Sequence, residues 1–236
     1  DAQESRGLGD VYKRQPFVPP VPGRDRPHCF VYRTIEDLEA MQASAARSRT
    51  GVVVGGGLLG LECAKALRDL GLETHVVEFA PRLMAVQVDD GGGRVLRSKI
   101  EDLGVQVHTG RNTLEITDGA TARHRMVFAD GTHLETDMIV FSAGIRPRDE
   151  IARQCALAIG PRGGVAVDDH CRTSDRNVYA IGECASWREQ TFGLVAPGYD
   201  MARVAARHIA GEAEAAFGGA DLSTCLLYTS PSPRDS

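Results

Sequence analysis

The chain has 236 residues, of which 42% are hydrophobic, and this composition indicates a soluble globular protein with one large domain or two small ones. Its net charge of −5 gives no basic field for nucleic acid or an anionic membrane, and no secretory signal or long apolar run is present, so we expect a cytoplasmic protein. The six cysteines include no Cys-x-x-Cys pair, which argues against a disulfide framework and against a metal site.

The two ends of the chain differ in composition from the rest. Residues 1–15 show no periodicity, and residues 223–236 form a tail rich in serine and proline, so we expect both to be foreign or disordered tails. A proline-rich, extended stretch begins at Pro16. Thr34 then caps a predicted helix with apolar residues at three-residue spacing.

Strands and helices alternate from Thr50 onward. A buried strand, an amphipathic helix, a second strand, a helix that runs from Arg94 to Leu103 and a third strand follow one another. This βαβαβ order predicts an α/β fold with a parallel sheet. Residues 113–141 have the short strands and turn signals of an antiparallel meander, so we expect the sheet to be mixed.

The first strand runs into a G-x-G-x-x-G segment, residues 55–60, at the start of a helix. Gly55 allows a tight turn, Gly57 lets the main chain approach a pyrophosphate, and Gly60 lets the helix pack on the strand. Glu78 ends the second strand, where a carboxylate accepts hydrogen bonds from both ribose hydroxyls and repels the extra phosphate of NADPH. The segment predicts a nicotinamide dinucleotide site that favours NADH.

Two charged residues near this segment leave alternatives open. Glu62 lies in the first turn of the helix, where the helix macrodipole alone accounts for a carboxylate. Arg82 either contacts an adenine-side phosphate and softens the preference for NADH, or is a solvated surface arginine.

Two later segments also end in small residues after an apolar stretch. Residues 136–147 (TDMIVFSAGIRP) contain Gly144, and residues 177–185 (NVYAIGECA) contain Gly182 and Glu183. Residues 194–198 (LVAPG) then precede a helix, and a helix start after Pro197 suits an anionic group.

Taken in order, these three motifs resemble the pyridine-nucleotide-dependent FAD oxidoreductases over residues 16–222. The resemblance implies a Rossmann-type NADH-binding domain inserted into a FAD-binding Rossmann-type domain that is incomplete here. An earlier G-x-G-x-x-G segment binds the FAD adenosine half in that family, and none precedes Pro16. The implied domains are a FAD-domain remnant at 16–34, the NADH-binding domain at 35–145 and the C-terminal part of the FAD-binding domain at 146–222.

The same resemblance assigns the site residues. Glu62 and Gly144 are expected near the nicotinamide, and Gly182 and Glu183 on the flavin side, although the family usually has aspartate at the position of Glu183. No residue is expected to act as acid, base or nucleophile, because the cofactors carry the chemistry.

Single cysteines and histidines receive no catalytic role. We expect Cys63 and Cys155 to be small hydrophobic residues buried in helices, and we place only Cys184, beside Glu183, near the flavin. Four histidines on or beside strands lack metal-ligand spacing, which favours surface or hydrogen-bonded residues: His75, His108, His124 and His133.

Within the family, residues 19–27, 76–93, 182–185 and 194–199 resemble the large subunits of assimilatory NADH-dependent nitrite reductases. By this resemblance the chain is a fragment of the electron-input end, inactive alone, that passes hydride from NADH to FAD. An iron-sulfur cluster and siroheme in the rest of the parent protein would then reduce nitrite to ammonia, with a nitrite reductase small subunit as partner. The alternatives are a fragment of an NADH oxidase or of a rubredoxin or ferredoxin reductase, and a non-catalytic NADH-binding module.

Overall fold

The structure, a computed structural model, describes residues 14–193 and 195–219. The chain divides into two compact units: the first unit is Pro16–Ile145, and the described residues from Arg146 onward belong to the second unit. Residues 1–13 and 223–236, most of the two predicted tails, lie outside the described residues. The predicted domain boundaries stay predictions.

Thirteen strands and five helices are described. In chain order they are β1 (Arg14–Pro16), β2 (Cys29–Val31), α1 (Ile35–Ala45), β3 (Thr50–Val54), α2 (Leu58–Asp69), β4 (Glu73–Val77), α3 (Asp90–Asp102), β5 (Val105–His108), β6 (Thr113–Asp118), β7 (His124–Phe128), β8 (His133–Thr136), β9 (Met138–Phe141), β10 (Ile145–Pro147), α4 (Glu150–Gln154), β11 (Val165–Val167), β12 (Ala185–Trp187), β13 (Gln190–Thr191) and α5 (Val195–Ile209).

The first unit is built on a five-stranded sheet in the order β2-β9-β3-β4-β5, in which every neighbouring pair is parallel. Successive residues of each strand point to opposite faces. Val53 and Val76 pack with Leu67 of α2 on the helical face. Val52 and Val77 pack on the other face with residues of β6 and β7. Both faces of the sheet are therefore covered, as parallel sheets require.

The expectation of a single mixed sheet was wrong. Strands β6, β7 and β8 form a separate three-stranded antiparallel sheet, whereas β9 returns to the parallel sheet between β2 and β3. All four residues of Met138–Phe141 are buried, which is typical of a strand covered on both faces. The pattern predicted the meander correctly, but it does not specify which sheet each strand joins.

One predicted helix cap is confirmed, and two helices begin at earlier residues than predicted. Thr34 caps α1 as predicted, because its hydroxyl accepts from the Asp37 N–H at 3.2 Å and the Asp37 carboxylate accepts from the Thr34 N–H at 2.9 Å. Helix α3 begins at Asp90, earlier than predicted, and is capped by Asp89. Helix α5 begins at Val195, so Pro197 lies inside its first turn. N–H groups of the first turn have no partner within the helix, so proline costs no helical hydrogen bond there.

The second unit contains α4, the three-stranded sheet β11-β12-β13, a 3₁₀ turn at Gly182–Cys184 and helix α5. Its core joins Trp187 and Phe192 to Met201 of α5. In the described part of the chain, none of the helices has both the length and the apolar character needed to cross a membrane.

Candidate functional site

The glycine segment connects β3 to α2, and two of its glycines are required by the packing of the chain itself. Gly55 has a positive φ of 123°, and a Cβ built there would lie 2.3 Å from the carbonyl oxygen of Ser142. A Cβ at Gly60 would lie 2.0 Å from the carbonyl oxygen of Gly55. Because real Cβ atoms do not approach backbone oxygens so closely, both positions exclude larger residues whatever the segment binds.

Gly57 is different, because no contact within the protein explains it. It is the N-cap of α2 with φ −82° and ψ −177°, an extended conformation that any residue adopts. A Cβ built at Gly57 meets no heavy atom within 4 Å. No side chain caps the helix here, so its first N–H groups receive no side-chain hydrogen bond at the N-cap. Open space before a helix N-terminus suits an anionic group that must approach the main chain.

Glu78 follows β4 and holds the glycine segment by a hydrogen bond. Its half-buried carboxylate accepts hydrogen bonds from the main-chain N–H of Gly56 at 2.5 Å and of Ala80 at 2.6 Å. Gly56 is confined in turn, because a Cβ there would lie 2.6 Å from Cδ2 of Leu83. The carboxylate is thus oriented at the carboxyl end of the sheet, beside the glycine segment and with acceptor capacity left for a further donor.

The ends of β3, β4 and β9 meet at one edge of the parallel sheet, because a Cβ at Gly55 would contact Ser142 and Ala143 just after β9. The structure therefore brings Gly55, Gly57, Gly60 and Glu78 together. Ligands of open α/β sheets bind at this edge. The sequence singled out the small residues that end the 136–147 segment, and the pairing of β9 with β3 places two of them, Ser142 and Ala143, beside the glycine segment.

Glu62 and Arg82 lie near this edge. The Glu62 side chain is exposed on α2. The guanidinium of Arg82 is already engaged: Nε donates to the carbonyl of Val88 at 3.0 Å, and Nη1 donates to the carboxylate of Asp90 at 2.7 Å. The sequence left two roles open for Arg82, contact with an adenine-side phosphate or a solvated surface position. The observed role is neither of these, because Arg82 holds the loop before α3.

Gly144 lies three residues beyond β9, exposed and with φ 102°. Its carbonyl accepts a hydrogen bond from the N–H of Phe17 at 2.9 Å. Asp137 lies at the start of the same 136–147 motif. Its carboxylate accepts hydrogen bonds from the N–H of Arg49 at 2.7 Å and from the N–H of Thr50 at 3.2 Å. These hydrogen bonds lower the pKa of Asp137 although partial burial opposes them. Asp137 therefore joins β9 to the start of β3.

Gly182 and Glu183 lie in the second unit, in the 3₁₀ turn at Gly182–Cys184. Gly182 has φ 71°, and its N–H donates to the sulfur of Met201 at 3.3 Å. A Cβ built on Gly198 would lie 3.3 Å from the Cα of Gly182, so the turn and the first turn of α5 pass close together. Glu183 is half-buried beside this contact.

The cysteine predictions are partly corrected. Cys63 is fully buried in α2, and burial raises the pKa of its thiol to about 12. Cys155 was expected to be buried but is exposed, because it follows the last residue of the short helix α4. Burial also raises the pKa of Cys184, which is half-buried. Across residues 14–193 and 195–219, no three His, Cys, Asp or Glu side chains are grouped to hold a metal ion.

Three comparisons place the chain among known proteins. The model of the family "Pyridine nucleotide-disulphide oxidoreductase" matches residues 14–208. The large subunit of NADH nitrite reductase from Escherichia coli (strain K12) is 62% identical over 212 residues, which are 89% of this chain and 25% of that subunit. Rubredoxin-NAD(+) reductase from Pseudomonas putida is 34% identical over 167 residues, covering 71% of this chain and 43% of that enzyme.

The fold comparison agrees with the sequence comparisons. The crystal structure of a ferredoxin reductase from Rhodopseudomonas palustris superposes with a TM-score of 0.78 at 30% identity, covering 87% of this chain and 52% of that one. The chain thus spans about a quarter of the nitrite reductase subunit that it matches. The α/β fold with a Rossmann-type parallel sheet, predicted from the motif order, is confirmed. With a family model that matches residues 14–208, the chain belongs to the pyridine nucleotide-disulphide oxidoreductases.

Proposed function

We propose that the first unit binds NADH at the edge formed by the glycine segment and Glu78. The observation that carries this proposal is the open space around Gly57, where a Cβ would meet no protein atom within 4 Å. Nothing in the folding of the chain calls for glycine there, whereas a pyrophosphate on the N-terminus of α2 does. The oriented carboxylate of Glu78 accepts the ribose hydroxyls, which favours NADH over NADPH.

Further residues have roles proposed from the family resemblance. Glu62, exposed on the helix that begins at the glycine segment, and Gly144, exposed after β9, lie toward the nicotinamide. Gly182 and Glu183 lie toward FAD. None of them exchanges protons with substrate: the residues bind the cofactors, orient them and exclude water.

FAD is the cofactor that the family implies for the second unit. The close passage of Gly182 and Gly198 fits such a group, because a turn without side chains lets a ligand reach the main chain. Helix α5 begins beside that turn, and a helix N-terminus suits a phosphate. FAD held there would supply an acceptor for the hydride of NADH and a donor of single electrons.

For the whole protein we propose the large subunit of a nitrite reductase, supported by 62% identity over 89% of this chain. In that protein the electrons would pass through an iron-sulfur cluster and siroheme to reduce nitrite to ammonia, with a small subunit as partner. The second candidate is a rubredoxin or ferredoxin reductase, favoured by the 34% and 30% identities to such enzymes. Cysteine clusters encoded downstream in the same reading frame would favour nitrite reductase and count against the second candidate.

The direct test is calorimetric titration of the purified chain with NADH and with FAD separately. We expect tight NADH binding, and the FAD titration tests the flavin-side roles proposed for Gly182 and Glu183. Absence of NADH binding by the folded chain would overturn the proposal for the first unit. Tight binding of FAD as well would require a direct assay of hydride transfer by this chain.

A further inference from the structure

The loop at residues 79–89 joins β4 to α3 and contacts the glycine segment. Leu83 is 1% exposed and packs in the core of the first unit, where it occupies the space that a Cβ on Gly56 would need. The next residue, Met84, donates its main-chain N–H to the carbonyl oxygen of Gly56 at 2.9 Å. The loop therefore holds the glycine segment both by packing and by a hydrogen bond.

The main-chain groups of Gly56 are held from two directions. Its N–H donates to the Glu78 carboxylate at 2.5 Å, and its carbonyl oxygen accepts from Met84. In a trans peptide the carbonyl oxygen and the following N–H point in opposite directions, so the Gly57 N–H is directed away from Met84. The Met84 hydrogen bond thus sets the orientation of the peptide that links Gly56 to Gly57, where we propose that the pyrophosphate approaches.

Met84 makes this hydrogen bond in an unfavourable backbone conformation. Its φ is 46°, in the left-handed region that residues with a Cβ rarely adopt. Such conformations persist only where surrounding contacts hold them. Within the turn at residues 84–88, the N–H groups of Gln87 and Val88 donate to the Met84 carbonyl at 2.9 and 3.0 Å. The carbonyl oxygens of Ala85 and Val88 take no part in these bonds.

Arg82 holds the turn through those two carbonyl groups. Its Nε donates to the Val88 carbonyl at 3.0 Å and its Nη2 to the Ala85 carbonyl at 3.2 Å, so one planar group joins two points of the turn. Its Nη1 donates to Asp90 at 2.7 Å, but the Asp90 side chain is 79% exposed, so this ion pair contributes little. Because each guanidinium nitrogen already donates within the protein, we assign the role of Arg82 to the loop and not to ligand contact.

We propose that Arg82 is a positioning residue for the nucleotide. It holds the turn at residues 84–88, which keeps the Met84 N–H on the Gly56 carbonyl and so orients the peptide that meets the pyrophosphate. The inference rests on the proposed NADH site. Without Arg82, Met84 leaves its left-handed conformation in most molecules, and the apparent affinity falls with the fraction of molecules that keep it. Because NADH and NADPH share the pyrophosphate, both lose affinity by the same factor.

The test measures NADH and NADPH affinity by calorimetry, and amide hydrogen exchange of the nucleotide-free protein by NMR, for wild type, Arg82→Ala and Arg82→Lys. We expect Arg82→Ala to weaken both nucleotides about tenfold, the loss typical of one charge-assisted hydrogen bond. Arg82→Lys should lose nearly as much, because lysine keeps the charge but lacks the planar fork that reaches both carbonyl groups. In both variants the Met84 amide should exchange about tenfold faster, while the amides of β4 keep their wild-type rates.

Arg68→Ala is the matched control. The Arg68 side chain is 35% exposed, against 30% for Arg82, and it also donates to a main-chain carbonyl and to a carboxylate. These acceptors are Leu103 at 2.9 Å and Asp69 at 2.7 Å, and Arg68 lies at the far end of α2 from the glycine segment. Its replacement should leave NADH affinity and Met84 exchange at the wild-type values, and a thermal melt shows whether each variant is folded.

Wild-type NADH affinity in folded Arg82→Ala would overturn the inference, and an equal loss in Arg68→Ala would show only a general effect of lost stability. A loss confined to NADPH would place Arg82 on a ligand phosphate, and full affinity in Arg82→Lys would show that charge alone matters; either result counts against positioning. So does a loss of affinity without faster Met84 exchange. If Arg82→Ala does not fold, Arg82→Lys carries the same tests. Absence of NADH binding to wild type overturns the proposed function itself, whereas failure of this inference leaves wild-type binding intact.

Discussion

Glu78 accepts a hydrogen bond from the main-chain N–H of Gly56 at 2.5 Å, and this contact joins the end of β4 to the glycine segment after β3. Its second carboxylate oxygen accepts from Ala80 at 2.6 Å. The side chain proposed to bind the ribose therefore also shapes the segment proposed to bind the pyrophosphate. A substitution at Glu78 acts on both.

Replacing Glu78 with alanine is expected to weaken NADH binding at least about tenfold, because hydrogen bonds to a charged group contribute roughly 1.5–3 kcal/mol. The same change removes the charge that repels the phosphate of NADPH, so the ratio of the NADPH and NADH dissociation constants should move toward one. Calorimetry with both nucleotides measures this ratio. An unchanged ratio of the two dissociation constants would show that Glu78 does not contact the adenine-side ribose.

Gly57 and Gly60 form a pair of substitutions with opposite consequences. Gly57→Val should retain the wild-type free energy of unfolding to within about 1 kcal/mol, since its backbone is extended and its surroundings open, yet lose NADH affinity tenfold or more. Gly60→Ala should cost roughly 3 kcal/mol in stability, because its Cβ would overlap the Gly55 carbonyl. A folded Gly57→Val protein with full NADH affinity would contradict the role of this segment.

The sequence allowed the glycine segment and Glu78 to be predicted, because both depend on short-range patterns: a buried strand, a turn and a helix start. The pattern also assigned a separate role to each glycine, but it does not show which protein atoms confine them. Gly55 is required by Ser142, which lies far along the chain, and only the pairing of β9 with β3 brings the two together. The structure adds that no protein atom lies within 4 Å of a Cβ built at Gly57.

The sheet arrangement likewise depends on tertiary contacts. Alternating polar and apolar residues predicted the strands between residues 113 and 141, but a buried β9 and a separate antiparallel sheet follow from what packs on each face.

Asp137 is expected to be structural rather than ligand-binding. Asp137→Ala removes the acceptor of the Arg49 and Thr50 N–H groups and should lower the free energy of unfolding by about 2 kcal/mol. NADH affinity at temperatures where the variant is folded should equal that of wild type. Chemical denaturation and calorimetry on the same preparation separate the two effects, and a selective loss of affinity would assign Asp137 to the site instead.

The contacting pair of His75, which is buried, and His108, which is half-buried, should make the first unit less stable in mild acid. Their ring nitrogens Nδ1 and Nε2 lie 3.1 Å apart, and burial lowers the pKa of each below 6.5. A lowered folded-state pKa means that stability is complete above pH 6.5 and is lost as pH falls from there toward the folded-state values, because the unfolded chain binds protons first. As the pH falls below 6.5, the melting temperature should decrease less for His108→Gln than for wild type. The exposed His133→Gln is the control.

Cys63 and Cys155 should differ in reactivity, since thiolate content and access both govern alkylation. Cys63 is 0% exposed and burial raises its pKa to about 12, whereas Cys155 is exposed after α4. A brief treatment of the native protein with a maleimide at neutral pH should therefore modify the Cys155 peptide and spare the Cys63 peptide, as read by mass spectrometry. The same treatment in denaturant should modify both, which controls for detection. Modification of Cys63 in the native protein at the rate of Cys155 would show that α2 opens, and with it the helix start on which the nucleotide site depends.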